Sequence, residues 1–393
     1  MPPVGHSERL PARVVAEVVV ASLGGALLIC ALLANQQWLD RHFLPSFFLP
    51  RSMYVLVESV VRVAMAALGA ALALAARRRI GRFIVHRPVG ALNVMVAVVL
   101  AFGACELILR VRNPRPTMVE KEPSYSEPSR RLDPRLGWVF VPSRTGRDNI
   151  GGRVVEYAID SAGYRVRRVD EPVDPDRPTI VFTGESMMVG EGLTWDETIP
   201  AQTGAIMGLQ SANLAVSGFA NDQAYLKLKA ELPRFRQPVA VVTLFTPVLF
   251  DRNLNDDRPH LGPGLVWLPP AHRWRLATIA KFLVPYRSEE TIEGGITVTR
   301  EVLQATVELA RARGAIPIIV VPQFTPEEAS ERVLRRRILD ESGLSYVWVE
   351  LDPNWRISDD GHPDPRAAQA IAVAIAARLR EHLIQRQTGV SVD

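Results

Sequence analysis

The sequence predicts an α/β domain built on a parallel sheet of about five strands and carried behind three membrane-spanning helices. Two observations predict it. The first 110 residues hold three apolar stretches of spanning length, and no comparable stretch follows Arg112. Beyond Pro178, short runs rich in Val, Ile and Phe alternate with apolar residues at helical spacing, the pattern of strands buried on both faces by crossover helices.

The apolar stretches cover residues 14–34, 53–76 and 89–109, each near the roughly 20 residues a helix needs to cross the hydrocarbon layer. Residues 1–112 therefore form a membrane anchor. Between the second and third spans, Arg77-Arg-Arg-Ile-Gly-Arg82-Phe-Ile-Val-His-Arg87 reads as a short loop with five arginines and no acid. Such loops stay on the cytoplasmic side. An odd number of spans places the N-terminus inside, in agreement with Arg9 and Arg13, and sends the chain after Arg110 outside. The first stretch also has the form of a signal sequence, but no small-x-small cleavage site lies near Ala34. Either reading predicts a multi-pass or anchored inner-membrane protein with its large domain on the periplasmic side.

The net charge of +4 and pI near 9.2 reflect that arginine loop rather than a nucleic-acid partner. Cys30 and Cys105 both fall in predicted spans, so the external domain has no disulfide and depends on its core. Within the spans, Glu58 and Arg62 are four apart on one helix face, with Glu106 placed to join them. They read as a packing ion pair that fixes helix register. So few polar residues suit an anchor, not a transporter.

Residues 113–153, opened by Asn113-Pro-Arg-Pro116, read as a linker. The compact domain is expected over 154–387, with 388–393 as a tail. A strand running from Val154 turns at Gly163. Strands follow at Thr179–Thr183, Ala212–Val216, Val239–Phe245, Ile316–Val321 and Tyr346–Leu351. Helices lie between and after them, at Glu197–Leu209, Asp222–Leu232, Thr297–Arg313, Pro326–Ser342 and Pro365–Gln385, with Gly314 and Gly343 placed to end two of them.

In such sheets the chemistry gathers at the carboxyl ends of strands, and Gly184-Glu185-Ser186 falls there. Asp359-Asp-Gly-His362 comes just before the last helix. A serine on a turn, an imidazole and a carboxylate are what nucleophilic acyl transfer requires. Asp-x-x-His recurs at Asp257-Arg-Pro-His260, but order and context select His362. His272 and His382 have no carboxylate at comparable spacing. Whether Asp359 or Asp360 orients His362 is open, with spacing favouring Asp359. The acidic cluster of Asp359, Asp360 and Asp364 reads as caps and solvated charges, so neither a metal nor a cofactor is expected.

Together these blocks resemble the SGNH (GDSL-like) hydrolase superfamily, in its membrane-anchored bacterial form, over about 154–385. Gly184-Glu185-Ser186-Met-Met-Val-Gly190 is similar to the family's serine block, Asn213-Leu-Ala-Val-Ser-Gly218 to its glycine block, and Asp359-Asp-Gly-His362 to its last block. Asp160-Ser-Ala-Gly163-Tyr-Arg165 is similar to a segment preceding the serine in such members. The resemblance implies a three-layer α/β/α fold, with Ser186 as nucleophile, His362 as base, Asp359 as its orienting acid, and amides of Ser186 and Gly218 holding the oxyanion. Glu185 replaces the usual aspartate, and the family's Gly-x-Asn-Asp block is absent from Phe245-Thr-Pro-Val-Leu-Phe-Asp251-Arg-Asn253. Thr246 or Asn253 is then the candidate third donor.

The expected activity is that of a serine esterase on an acylated glycan or lipid of the cell envelope. The alternatives are an O-acyltransferase, such as an acetyltransferase, using the same triad on an envelope polysaccharide, and a non-catalytic glycan-binding protein within an envelope-polymer assembly. Residues 246–296 read as an insertion or lid. There Trp267 and Trp274 are candidates to stack on substrate or to pack the lid, and Leu276–Val284 to lie on the membrane.

Overall fold

The computed structural model describes residues 9–45, 51–112, 128–271, 274–276 and 286–388. It divides into two compact units, Met1–Pro114 with His272–Glu289, and Arg115–Ala271 with Glu290–Asp393.

The first unit contains α1 (Arg9–Leu33), α2 (Gln36–His42), β1 (Phe43–Pro45), α3 (Arg51–Ala70), a π-helical turn at Ala71–Ala76, α4 (Arg77–His86) and α5 (Pro88–Arg112). Three helical segments are long and apolar enough to cross a membrane: Ala12–Leu33, Val55–His86 and Pro88–Val111. The arginine segment is thus not a loop but the end of the second of these. At 32 residues this helix is roughly 48 Å long, so its arginine-bearing end extends past a hydrocarbon core of roughly 30 Å. Helices α1 and α3 meet backbone to backbone, since a Cβ on Gly24 would lie 2.6 Å from the Gly69 carbonyl oxygen.

Arg62 stands 3.7 Å from Glu58 and also donates to the Ala31 carbonyl at 2.9 Å. Glu106 does not join that pair. Its carboxylate accepts from Arg110 at 2.7 Å and from the backbone amides of Arg275 and Leu276, each at 2.9 Å. The strand Tyr286–Ser288, β12 in chain order, pairs antiparallel with β1. Part of the expected insertion therefore belongs to the membrane unit, although residues 277–285 lie outside the described ones. Both cysteines are free.

The second unit starts upstream of Val154. Of the expected linker, 113–127 lies outside the described residues, but Arg130–Asp133 (β2), Gly137–Phe140 (β3) and Arg144–Ile150 (β4) are strands. β2 and β4 escape a hydropathy reading because they are polar and only partly buried along their length. There follow β5 (Arg153–Ile159), β6 (Arg165–Val166), β7 (Thr179–Phe182), α6 (Ser186–Val189), α7 (Ile199–Met207), β8 (Gln210–Asn213), α8 (Asn221–Glu231) and β9 (Pro238–Leu244). Next come α9 (Pro247–Asn253), the hairpin of β10 (His260–Gly262) and β11 (Val266–Leu268), and α10 (Glu289–Ala312). The chain closes with β13 (Ile316–Gln323), α11 (Ala329–Ile338), β14 (Tyr346–Glu350) and α12 (Pro365–Thr388).

The main sheet has eight strands in the order β14-β13-β9-β7-β8-β6-β5-β4. The first five are parallel, as the sequence implies, while β6, β5 and β4 add antiparallel strands on the β8 side. All four residues of β7 are buried, because helices cover both faces. Ile180, Phe182, Val242, Leu244, Ile318 and Val320 pack with Ile371, Ile375 and Leu379 of α12. Val181, Ala212 and Val241 pack on the other face with Leu228 of α8 and Ala310 of α10. β7 is central, and its carboxyl end opens between its neighbours β8 and β9.

Candidate active site

Ser186 follows β7 as the first residue of α6 and is 3% exposed. Glu185 caps that helix, its side chain accepting the Met187 amide at 3.1 Å. The turn is held from behind by Arg165. Its buried guanidinium donates to the carbonyls of Val189 and Gly190, both at 2.7 Å, and lies over the Tyr157 ring at 4.2 Å. Burial lowers this guanidinium to about 10, still far above neutrality, so it remains a cation. Asn213 adds a bond from Nδ2 to the Met188 carbonyl at 3.0 Å. A four-residue helix cannot stand alone; these buried donors supply what length does not.

His362 lies in the turn between β14 and α12, where its carbonyl accepts the Ile357 amide at 2.8 Å. Its Nε2 is 2.7 Å from Ser186 Oγ. Nδ1 faces the carboxylate of Asp360, not that of Asp359. Asp359 instead has φ +60° and its carboxylate is 3.4 Å from Ser358 Oγ. One residue of shift within the turn decides this, and spacing alone does not fix which carboxylate turns inward. Asp364 caps α12, accepting the amides of Arg366 and Ala367, and the described residues hold no cluster of ligating groups for a metal.

Two further carboxylates crowd the serine and histidine. Glu191 Oε2 is 3.2 Å from His362 Nε2, and the Glu185 carboxylate lies against Ser186 Oγ. Arg252, on α9, places Nη1 3.2 Å from Glu185 Oε2 and 3.1 Å from the Phe219 carbonyl. Arg252, Glu191 and Asp360 are residues that sequence reasoning did not assign to the site. Only Asp360 gave a signal, as the neighbour of Asp359.

The glycine loop after β8 carries Gly218 at φ +80°, a region that side chains rarely adopt. A Cβ there would lie 3.2 Å from Trp138 Cζ2. Trp138 Nε1 and Arg130 Nη1 both donate to the preceding Ser217 carbonyl, at 2.8 and 3.1 Å. The β2–β3 hairpin thus fixes the loop. Burial lowers the Arg130 guanidinium below its ordinary value, with the Glu191 carboxylate opposing the shift.

The candidate third donors are placed otherwise. Thr246 caps α9 by accepting the Leu249 amide at 3.2 Å. Asn253 donates to Thr299 at 2.8 Å and accepts the Asp222 amide at 3.4 Å. Its side chain is spent joining α8, α9 and α10. The rival His260 sets Nδ1 on the Arg258 carbonyl at 2.9 Å. Trp267 donates to the Arg135 carbonyl at 3.1 Å, a packing contact, and Trp274 belongs to the membrane unit.

No protein-family model matches the chain, and no curated protein does. Several solved structures are similar to it. An acetyl xylan esterase, Est2A, from Butyrivibrio proteoclasticus is 12% identical, covering 54% of this chain and 66% of its own, with a TM-score of 0.35. A GDSL-like lipase from Bacteroides thetaiotaomicron is 13% identical over 52% of this chain and 89% of its own, with a TM-score of 0.31. A member of the lipolytic protein G-D-S-L family from Veillonella parvula is 11% identical over 51% and 96%, with a TM-score of 0.30. Likeness at this level leaves the chemistry to be read from the chain's own residues.

Proposed function

We propose that this chain is an SGNH-type serine enzyme that cleaves or transfers acyl esters, tethered to a membrane by its three apolar helices. The observation that carries the reading is the 2.7 Å approach of His362 Nε2 to Ser186 Oγ with Asp360 at Nδ1. Serine and histidine are 176 residues apart in the chain.

In the first step Ser186 Oγ attacks the ester carbonyl while His362 Nε2 takes its proton. Asp360 accepts from Nδ1–H, which fixes the tautomer and stabilises the imidazolium. Glu191 is placed to stabilise the same cation from the Nε2 side. Amides of Ser186 and Gly218 face the oxyanion, and the third donor is Arg252, whose guanidinium bridges the two loops that bear them. His362 then returns the proton to the departing alkoxide. A second acceptor, water or a sugar hydroxyl, resolves the acyl-serine by the reverse proton path.

An acylated glycan or lipid of the envelope is the substrate class proposed, on the ground of the membrane tether. The arginines of α4, which favour the cytoplasmic side, support a location of the second unit outside the cell membrane, the compartment of envelope glycans. The test is hydrolysis of p-nitrophenyl acetate to butyrate by the full chain in detergent, beside Ser186→Ala, with and without a polysaccharide acceptor. Turnover lost in the variant supports the serine mechanism, and acceleration by the acceptor identifies transfer. Equal rates in both proteins, with no fluorophosphonate label on Ser186, would leave the non-catalytic glycan-binding reading in its place.

A further inference from the structure

Lysine is rare in this chain. It occurs at positions 121, 227, 229 and 281 only, and Lys227 is buried, at 6% exposure. Its position on α8 is one helical turn beyond Gln223, whose side chain donates to the Leu136 carbonyl of the β2–β3 turn. Beneath that hairpin is a cavity of about 240 Å³ with Lys227 in its wall, and Leu136, Val139, Phe140 and Leu226 supply its apolar lining.

A buried ammonium ordinarily sits against a carboxylate or a set of carbonyls, because taking it out of water unpaired costs several kcal/mol. Lys227 has neither among the described residues. Its Nζ stands over the face of Tyr164, 5.9 Å from the ring centroid. The nearby carboxylates are committed elsewhere. Glu231 accepts from Tyr164 Oη and pairs with Arg234 at 3.0 Å. Asp133 accepts the amides of Arg135 and Leu136 at 2.9 and 2.8 Å. Asp160 accepts the amides of Ala162 and Tyr164, both at 2.9 Å. Burial accordingly holds the Lys227 ammonium down to about 8, with Glu231, Asp160 and Asp133 only partly offsetting it.

We propose that this cavity binds a short-chain aliphatic carboxylate, its anionic head on Lys227 Nζ and its tail against Leu136, Val139 and Phe140. A carboxylate supplies the acceptor that the ammonium lacks, and a chain of a few carbons suits both the volume and the half-apolar wall. Arg131 and Arg135 also line the cavity beside Asp133 and Glu231, so with Lys227 the cations of the wall outnumber its carboxylates and favour an anion. The site is separate from Ser186 and does not depend on the chain being an esterase.

The test uses the full chain in detergent with sodium butyrate as probe and sodium chloride at equal ionic strength as control. Acylation by N-succinimidyl acetate is followed at Lys227 and Lys229 by peptide mass spectrometry. Butyrate should protect Lys227 saturably, by about fivefold at four times its Kd, and leave Lys229 unchanged. In parallel, butyrate should raise the Tm of the native chain and of Lys229→Met but not of Lys227→Met. Equal labelling with butyrate and chloride would overturn the proposal. So would a rise in Tm that survives Lys227→Met. The labelling needs no variant, so a misfolded Lys227→Met leaves the proposal testable.

Discussion

Arg252 Nη1 lies 3.2 Å from Glu185 Oε2 and 3.1 Å from the Phe219 carbonyl, so one guanidinium ties the nucleophile's turn to the glycine loop. With Arg252 as the proposed third oxyanion donor, Arg252→Met should lower kcat by roughly a hundredfold with little change in KM. Lysine at the position keeps the charge but not the fork and should recover part of the loss. Because removing Arg252 strands a buried carboxylate, the double variant with Glu185→Gln is the control. A double variant with native kcat would show that the arginine only neutralises Glu185.

Asp360 and Asp359 make a matched pair for mutation, since only the first faces Nδ1. Asp360→Asn leaves an amide that no longer selects the Nδ1–H tautomer, and kcat should fall by roughly a hundredfold or more. Asp359→Asn should stay within about twofold of the native chain, because among the described residues its carboxylate bonds only to Ser358. Steady-state kinetics on one p-nitrophenyl ester distinguishes them.

Asn253 is expected to matter for stability and not for rate. It is 8% exposed and bonded to Thr299 and to the Asp222 amide. Asn253→Ala should cost about 1–3 kcal/mol of unfolding free energy and leave kcat unchanged once folded protein is compared. A large fall in kcat without a change in Tm would return Asn253 to the oxyanion site.

Lys227 gives the chain a dependence on alkaline pH. The ammonium titrates at about 8 in the folded chain against 10.5 when free. Below pH 8 it is protonated in both states and the folded state bears the whole burial cost. Between pH 8 and 10.5 the unfolded chain holds a proton that the folded one has released, so stability rises with pH, by up to about 3 kcal/mol. Lys227→Met should flatten that rise, as read from urea unfolding at pH 7.5, 9 and 10.

The parallel strands were legible because burial on both faces leaves uninterrupted runs such as Thr179–Phe182, and Ser186 and His362 because Gly-x-Ser and Asp-x-x-His stand at strand ends. β4 was not, since an edge strand reading Arg-Thr-Gly-Arg-Asp-Asn-Ile has no apolar face to announce it. Arg252 and Glu191 were hidden for another reason. Charged residues on a helix and in a turn carry no mark of the partner they meet until the loops are folded together. The continuation of the second span through Arg77–His86 was masked likewise, because arginine favours a helix as readily as a cytoplasmic loop.

The chain passes from the membrane unit to the catalytic unit near Pro114, returns to it at His272, and leaves it again after Glu289. A protease that cut only within 113–127 would therefore not shed the catalytic unit, which would stay moored through residues 272–289 by the β1–β12 pairing and the Glu106 contacts. Release would need a second cut. A recombinant fragment starting after Arg112 would, for the same reason, carry Tyr286–Ser288 as an orphaned strand, an edge open to pairing with other copies.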